Sequence, residues 1–250
     1  MSGSGRGKES ERAEGKGESR RASSLGPGNR SGRSSSGSTR GAAWAGEETK
    51  VARIRDPVVD HLLTPANCAL LVIDFQPQEV DSVASMDKRA LVANIVAVAE
   101  TAVLFGLPVV LSTVNVVARG AAPTIPQLAK TLEGVEAIDR TTINAWEDPR
   151  VVRAVKATGR RKLVVAALWT EACLTFPTLD ALRAGYEVYI VVDAVGGTSL
   201  EAHRAAIERM VQAGAKPIGW VQLACELQRN WDRVETADAV AKLLFAAVGK

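Results

Sequence analysis

The sequence predicts an α/β protein: an open, doubly wound, three-layer α/β/α domain built on a mainly parallel sheet of six strands. Three observations predict it. From residue 68 onward, short apolar runs alternate with longer amphipathic stretches, the pattern of successive βαβ units. The apolar runs are nearly continuous, as in "CALLVID" (68–74) and "KLVVAAL" (162–168), which suits strands covered on both faces. Several of the intervening stretches close on glycine, at Gly106, Gly159, Gly185 and Gly214, a stop signal for helices.

Taken in order, "CALLVID" (68–74) is the first strand and "DKRALVANIVAVAETAVLFG" (87–106) a helix at 3.6-residue spacing, with Pro108 beyond its end. "PVVLSTV" (108–114) is the second strand, 120–135 a loop with a short helix, and "EAID" (136–139) a short third strand. "EDPRVVRAVKATGR" (147–160) opens on an acid before a proline, a helix start, and "KLVVAAL" (162–168) follows as the fourth strand. "TFPTLDALRAG" (175–185) is a helix, "YEVYIVVDA" (186–194) the fifth strand, and "SLEAHRAAIERMVQAG" (199–214) a helix opening at Ser199. "KPIGWV" (216–221) is the sixth strand, and 222–248 is mostly helical.

Residues 1–50 have another character. They are dominated by Gly, Ser, Arg and Glu, too poor in large apolar side chains to offset the entropy of ordering, and are expected to be a disordered extension to a domain over 51–250. The whole chain has a formal charge of +3, but residues 1–56 hold twelve Lys or Arg against seven Asp or Glu. The remainder is therefore slightly acidic, and nothing in it predicts nucleic-acid binding; the basic stretch reads as a solvated extension or an over-called start. No apolar run reaches the ~18–20 residues of a membrane span, and no leader pattern is present. Three scattered cysteines, Cys68, Cys173 and Cys225, do not make a disulfide framework. They point to a reducing, cytoplasmic setting in which a thiol stays free.

In such sheets ligands bind beyond the carboxyl ends of the strands, at the switch point of strand order. The first strand ends in Asp74, the third runs into Asp139 and Arg140, and the fourth is followed by "WTEAC", ending in Cys173. Asp74, Arg140 and Cys173 could thus meet in one cleft. A thiol at a helix start beside a guanidinium is expected to favour thiolate, a nearby carboxylate to carry its proton, and turn N–H groups to hold an oxyanion. From residue types alone, Cys173 as a packed core cysteine stands beside Cys173 as a nucleophile.

The blocks "ALLVIDFQ", "DRTTINAWED", "VVAALWTEACLTFPTLDALRAGYEVYIVVDAVGG" and "MVQAGAKPIGWVQLACELQRNW" resemble the isochorismatase-like hydrolase superfamily, and within it the YcaC-like bacterial cysteine hydrolases. The resemblance implies an Asp74, Arg140, Cys173 triad, a non-proline cis peptide at Trp169–Thr170, and an oxyanion hole from the N–H groups of Thr170 and Cys173. It implies a cofactor-independent hydrolase of a small molecule, acting on a C–N bond through a thioester, and a homo-oligomer. Arg140 stands where nicotinamidases of the superfamily have lysine. "LSTVNVVARGAAPT" lacks their Asp-x-His metal motif, so no metal is expected. A non-covalent isochorismatase-type hydrolase and a non-catalytic assembly module remain as alternatives.

Phe75, Gln76, Asn144, Trp146 and Trp169 flank the triad positions and are candidates for lining a substrate pocket, against packing or turn hydrogen bonds. Asp193 reads as a cap for the loop "AVGGTS", His203 as a helix residue, and Cys68 and Cys225 as core or turn cysteines. "DAVGGTS" fits no phosphate-loop pattern. The C-terminal helical stretch, with Trp220 and Trp231, offers an apolar contact for oligomerisation.

Overall fold

The computed structural model describes residues 56–248. The expected extension over residues 1–50 lies outside them.

Six strands, β1 (Cys68–Ile73), β2 (Val109–Val114), β3 (Ala137–Arg140), β4 (Lys162–Ala167), β5 (Glu187–Val191) and β6 (Lys216–Ile218), form one sheet in the order β3-β2-β1-β4-β5-β6. Every pairing is parallel. The chain winds outward from β1 in one direction through β2 and β3, then returns to the other side of β1 with β4. The switch point therefore falls between β1 and β4. All six residues of each of these two strands are buried, as their apolar runs require, and Lys162, which opens β4, donates its Nζ to Asp60 O and Leu62 O.

The helices are α1 (Pro77–Ser82), α2 (Lys88–Leu104), α3 (Val116–Arg119), α4 (Pro126–Thr131), α5 (Pro149–Ala157), α6 (Thr175–Arg183), α7 (Leu200–Gln212), α8 (Trp220–Gln228) and α9 (Val234–Val248). Packing sorts the larger ones into two layers: α2 with α4, α8 and α9, and α6 with α7. Their starts follow from side-chain caps. Asp87 accepts from the Ala90 N–H, Asp148 from Arg150 ahead of Pro149, and Ser199 from Ala202, each satisfying an orphan donor of the first turn. No described helix is long and apolar enough to cross a membrane.

Three local readings change. Residues 77–82 form α1, where Pro77 fills the first helical position and its missing N–H costs nothing. The sixth strand stops at Ile218 rather than running through 221, because both carboxylate oxygens of Asp193 accept from the Trp220 N–H and start α8 there. Asp193 is thus a cap, of a helix rather than of its own loop. Trp220 is in consequence 5 % exposed and offers no outer surface, whereas Trp231 is 55 % exposed.

Candidate active site

Both strands at the switch point end in unusual backbone. Asp74, directly after β1, is left-handed at φ 59°, a region that Asp tolerates better than most residues. Its N–H donates to Ser112 O at 3.0 Å, so the turn stays pinned to β2. After β4 the peptide Leu168–Trp169 is cis. This corrects the expected position, Trp169–Thr170, by one residue. A π-type turn, Thr170–Leu174, then leads into α6. In it the Trp169 carbonyl accepts from the N–H groups of both Ala172 and Leu174, each at 3.1 Å.

Arg140 closes β3, two strands away from β1. Neighbouring strands lie about 4.8 Å apart, so only a long side chain can cross the end of β2 to reach Asp74. It does so: Arg140 Nη2 donates to Asp74 Oδ2 at 2.6 Å, and both side chains are 0 % exposed. Arg140 Nη1 donates to Thr142 O at 2.6 Å. Asp74 Oδ1 and Arg140 Nε are buried without a hydrogen-bond partner among the described residues. Cys173, 9 % exposed, brings its thiol against the Asp74 carboxyl, so the structure unites Asp74, Arg140 and Cys173.

The electrostatics put the proton on sulfur. Burial pushes the Asp74 carboxyl up to about 6, with Arg140 and the Cys173 thiol holding it down. Burial, then the charge of Asp74, pushes the Cys173 thiol up to about 12, with Arg140 opposing. The expectation of a thiolate poised by Arg140 and a helix end is therefore corrected. The guanidinium is already neutralised by Asp74, and burial of the sulfur outweighs what remains of its field. Burial and the neighbouring Asp74 both favour the thiol form of Cys173.

The oxyanion assignment is corrected in part. The Thr170 N–H is used, donating to Gly196 O at 2.9 Å. Of the two expected donors, Cys173 is the one left to consider.

The flanking residues separate as well. Gln76 is buried and saturated: its Nε2 donates to Val114 O and Ala122 O, and its Oε1 accepts from the Val114 N–H. It ties the end of β2 to the following loop and has no amide group to offer a ligand. Phe75 is wholly buried in the core. Asn144 caps a 3-10 turn at Ala145–Glu147 and donates to Asp180. Trp146 stacks edge-on against Tyr186 at 5.5 Å; Tyr186 precedes β5, at the opposite end of the sheet from Cys173. All four are engaged in packing or hydrogen bonds within the fold. Trp169 alone remains at the site, half-buried, with Nε1 donating to Ser82 Oγ at 2.6 Å. Asp139, the neighbour of Arg140, caps α3 through the N–H groups of Val116 and Val117.

Sequence reasoning weighed the Gly196–Gly197 segment only as a capped loop and as a phosphate loop, not as a packing element of the site. A Cβ on Gly196 would lie 2.5 Å from Val83 Cγ1, and one on Gly197 2.5 Å from Glu171 Oε2. Two glycines let this loop wedge between the residues before α2 and the Cys173 turn. Gly196→Ala is expected to cost about 1–3 kcal/mol through overpacking, and Val83→Ala in the same chain to restore most of it. Urea melts of the single and double variants check this; additive losses would show that the contact is not the cause. Cys68 is buried in β1 and Cys225 exposed on α8. Among the described residues no three His, Cys, Asp or Glu side chains converge as a metal set.

A family model described as the Isochorismatase domain matches residues 68–222, more than half of the chain. The chain belongs to the isochorismatase family. It is 34 % identical over 166 residues to the Escherichia coli protein called Probable hydrolase YcaC, covering 66 % of this chain and 79 % of that one. Among solved structures, YcaC from Pseudomonas aeruginosa, with hexane-2,5-diol and covalent acrylamide, superposes with a TM-score of 0.69 at 32 % identity, over 76 % of this chain and 98 % of that one. The Escherichia coli YcaC gene product, described as an octameric hydrolase of unknown specificity, superposes with a TM-score of 0.68 at 30 % identity, over 76 % and 96 %. This isochorismatase-family member is thus a hydrolase similar to YcaC.

Proposed function

We propose that this protein is a cofactor-independent cysteine hydrolase that cleaves a C–N bond of a small amide through a thioester on Cys173, and that it works as a homo-oligomer. The observation that carries the reading is the Cys173 thiol set against a buried carboxylate whose charge is held by a buried guanidinium.

Asp74 takes the thiol proton as Sγ adds to the carbonyl carbon, and the Cys173 N–H donates to the developing oxyanion. Asp74, now a carboxylic acid, returns that proton to the nitrogen as the C–N bond breaks and the amine leaves. A water then adds to the thioester with Asp74 again as base, releasing the carboxylic acid and restoring the thiol. Arg140 is permanently charged and donates no proton. Its part is to oppose burial, so that Asp74 stays ionised at neutral pH. Covalent acrylamide in the Pseudomonas relative supports the reading, since acrylamide is an acceptor for sulfur nucleophiles.

The test is the pH dependence of acrylamide addition at each cysteine, read by mass spectrometry. With Asp74 as base, Cys173 should react with a rate that rises through pH about 6 and then levels. Exposed Cys225 should react independently of Asp74, and Cys68, pushed up to about 12 by burial, should stay inert. Asp74→Asn should remove the limb near 6. A Cys173 as inert as Cys68, or one indifferent to Asp74→Asn, would overturn the proposal.

A further inference from the structure

We propose that His203 and Glu171 are positioning residues that lock the Cys173 turn in register with Asp74, acting through Thr170 and the Gly196–Ser199 loop. The inference rests on Cys173 being the nucleophile and adds what holds it there. A π-type turn is a rare departure from α-helical bonding, found frequently at functional sites.

Support for this turn converges on two of its residues. Thr170 is 0 % exposed and every polar group it has is taken. Its N–H goes to Gly196 O, its carbonyl accepts from Thr175 Oγ1 at 2.6 Å, and its Oγ1 meets His203 Nδ1 at 2.9 Å. Glu171 Oε1 accepts from both the N–H and the hydroxyl of Thr198, at 2.9 and 2.6 Å. Ser199 caps α7, and the His203 N–H donates to Ser199 O, so the His203 backbone belongs to the first turn of that helix. Gly197 lets Glu171 and His203 approach the loop closely: a Cβ there would fall 2.5 Å from Glu171 Oε2 and 3.1 Å from His203 Cβ. Gly197 is itself anchored: its carbonyl accepts from Ala84 and Ser85, and its N–H donates to Ser85 Oγ.

The His203 ring is half-buried, and burial holds it below the usual imidazole range; Glu171 opposes this and Arg204 adds to it. A neutral ring lets Nδ1 accept the Thr170 hydroxyl proton. None of the hydrogen bonds above runs to the Cys173 sulfur. Their effect is geometric, and displacing a nucleophile by about 1 Å can cost about 100-fold in rate.

The test again uses acrylamide addition at Cys173, on the full chain well below its melting temperature. His203→Ala and Thr170→Val should each slow addition about 10- to 100-fold and erase the limb near pH 6, leaving Cys225 unchanged. Asn at 203 can place its amide near the position of Nδ1, so His203→Asn should recover most of the rate where Ala does not. Glu171→Gln, which keeps Oε1 as an acceptor, should be milder than Glu171→Ala. A purely structural role would lower melting temperature without this rescue pattern or the change of pH profile. Folded His203→Ala and Thr170→Val with wild-type rates and profile would overturn the proposal while leaving Cys173 as nucleophile intact. Should wild-type Cys173 itself show no Asp74-dependent limb, the nucleophile reading fails and this inference fails with it.

Discussion

Cys173→Ala should abolish amide hydrolysis, by on the order of 10⁴-fold or more, while the melting temperature stays within a few degrees of wild type. The first half follows from the proton inventory. With sulfur gone, the only group able to attack is a water activated by Asp74, and nothing in the site is built to hold it in line. The second half follows from size: removing one sulfur from a turn secured by Thr170 leaves its hydrogen bonds in place. Cys173→Ser is the sharper comparison. A serine hydroxyl fits the same space, but its proton is far less acidic than that of a thiol, and a carboxylate titrating near 6 is too weak a base to take it. Serine should therefore be as inactive as alanine. A panel of primary amides and anilides of small acids, screened for free amine and for an acyl adduct on Cys173, checks both variants. Alanine with unchanged turnover would move the chemistry to a water activated by Asp74, the non-covalent alternative.

How much of this was legible in the sequence depended on how local the cause was. β1 and β4 announce themselves because a strand buried on both faces is apolar almost throughout, Lys162 at the start of β4 being the exception. α5 and α7 are visible because Asp148 and Ser199 carry their caps within three residues. The start of α8 was not visible, since its cap, Asp193, lies 27 residues upstream and arrives only when β5 and β6 pair. The same limit applies within the site. Asp74, Arg140 and Cys173 stand at strand ends, where fold logic points. That Gln76 and Asn144 are spent on backbone and side-chain partners could not be read from their neighbours in sequence. Nor could the thiol's protonation state, because it is set by burial rather than by residue type. His203 meets Thr170 across 33 residues, and its helical setting alone gave no hint of a link to the turn. "AVGGTS" did carry a signal, the paired glycines, whose meaning is close approach of backbone rather than phosphate binding.

Arg140→Met should destabilise the protein strongly at pH 8 and much less at pH 5. The unfolded Asp74 titrates near 3.8 and the folded one near 6. Because the folded value is the higher, the folded state binds more protons between these values. Stability from this group is therefore full below about 4 and falls as pH rises toward 6, by about 3 kcal/mol at 1.36 kcal/mol per unit. Arg140 is what limits that fall. Methionine fills much of the same volume without the charge, so the carboxyl climbs further, and at pH 8 the variant must bury an uncompensated carboxylate or retain a proton. Breaking a buried pair in this way costs about 3–5 kcal/mol. At pH 5 Asp74 is already mostly protonated in the wild type, so less is left for the variant to lose. Urea melts at the two pH values measure the difference, and equal losses would mean that Arg140 contributes packing rather than charge. The same variant predicts a kinetic shift: the acrylamide limb of Cys173 should move from near 6 to higher pH. Stability and reactivity would then report one quantity, the free energy of a negative charge on Asp74, which is the property that makes it a base for the thiol.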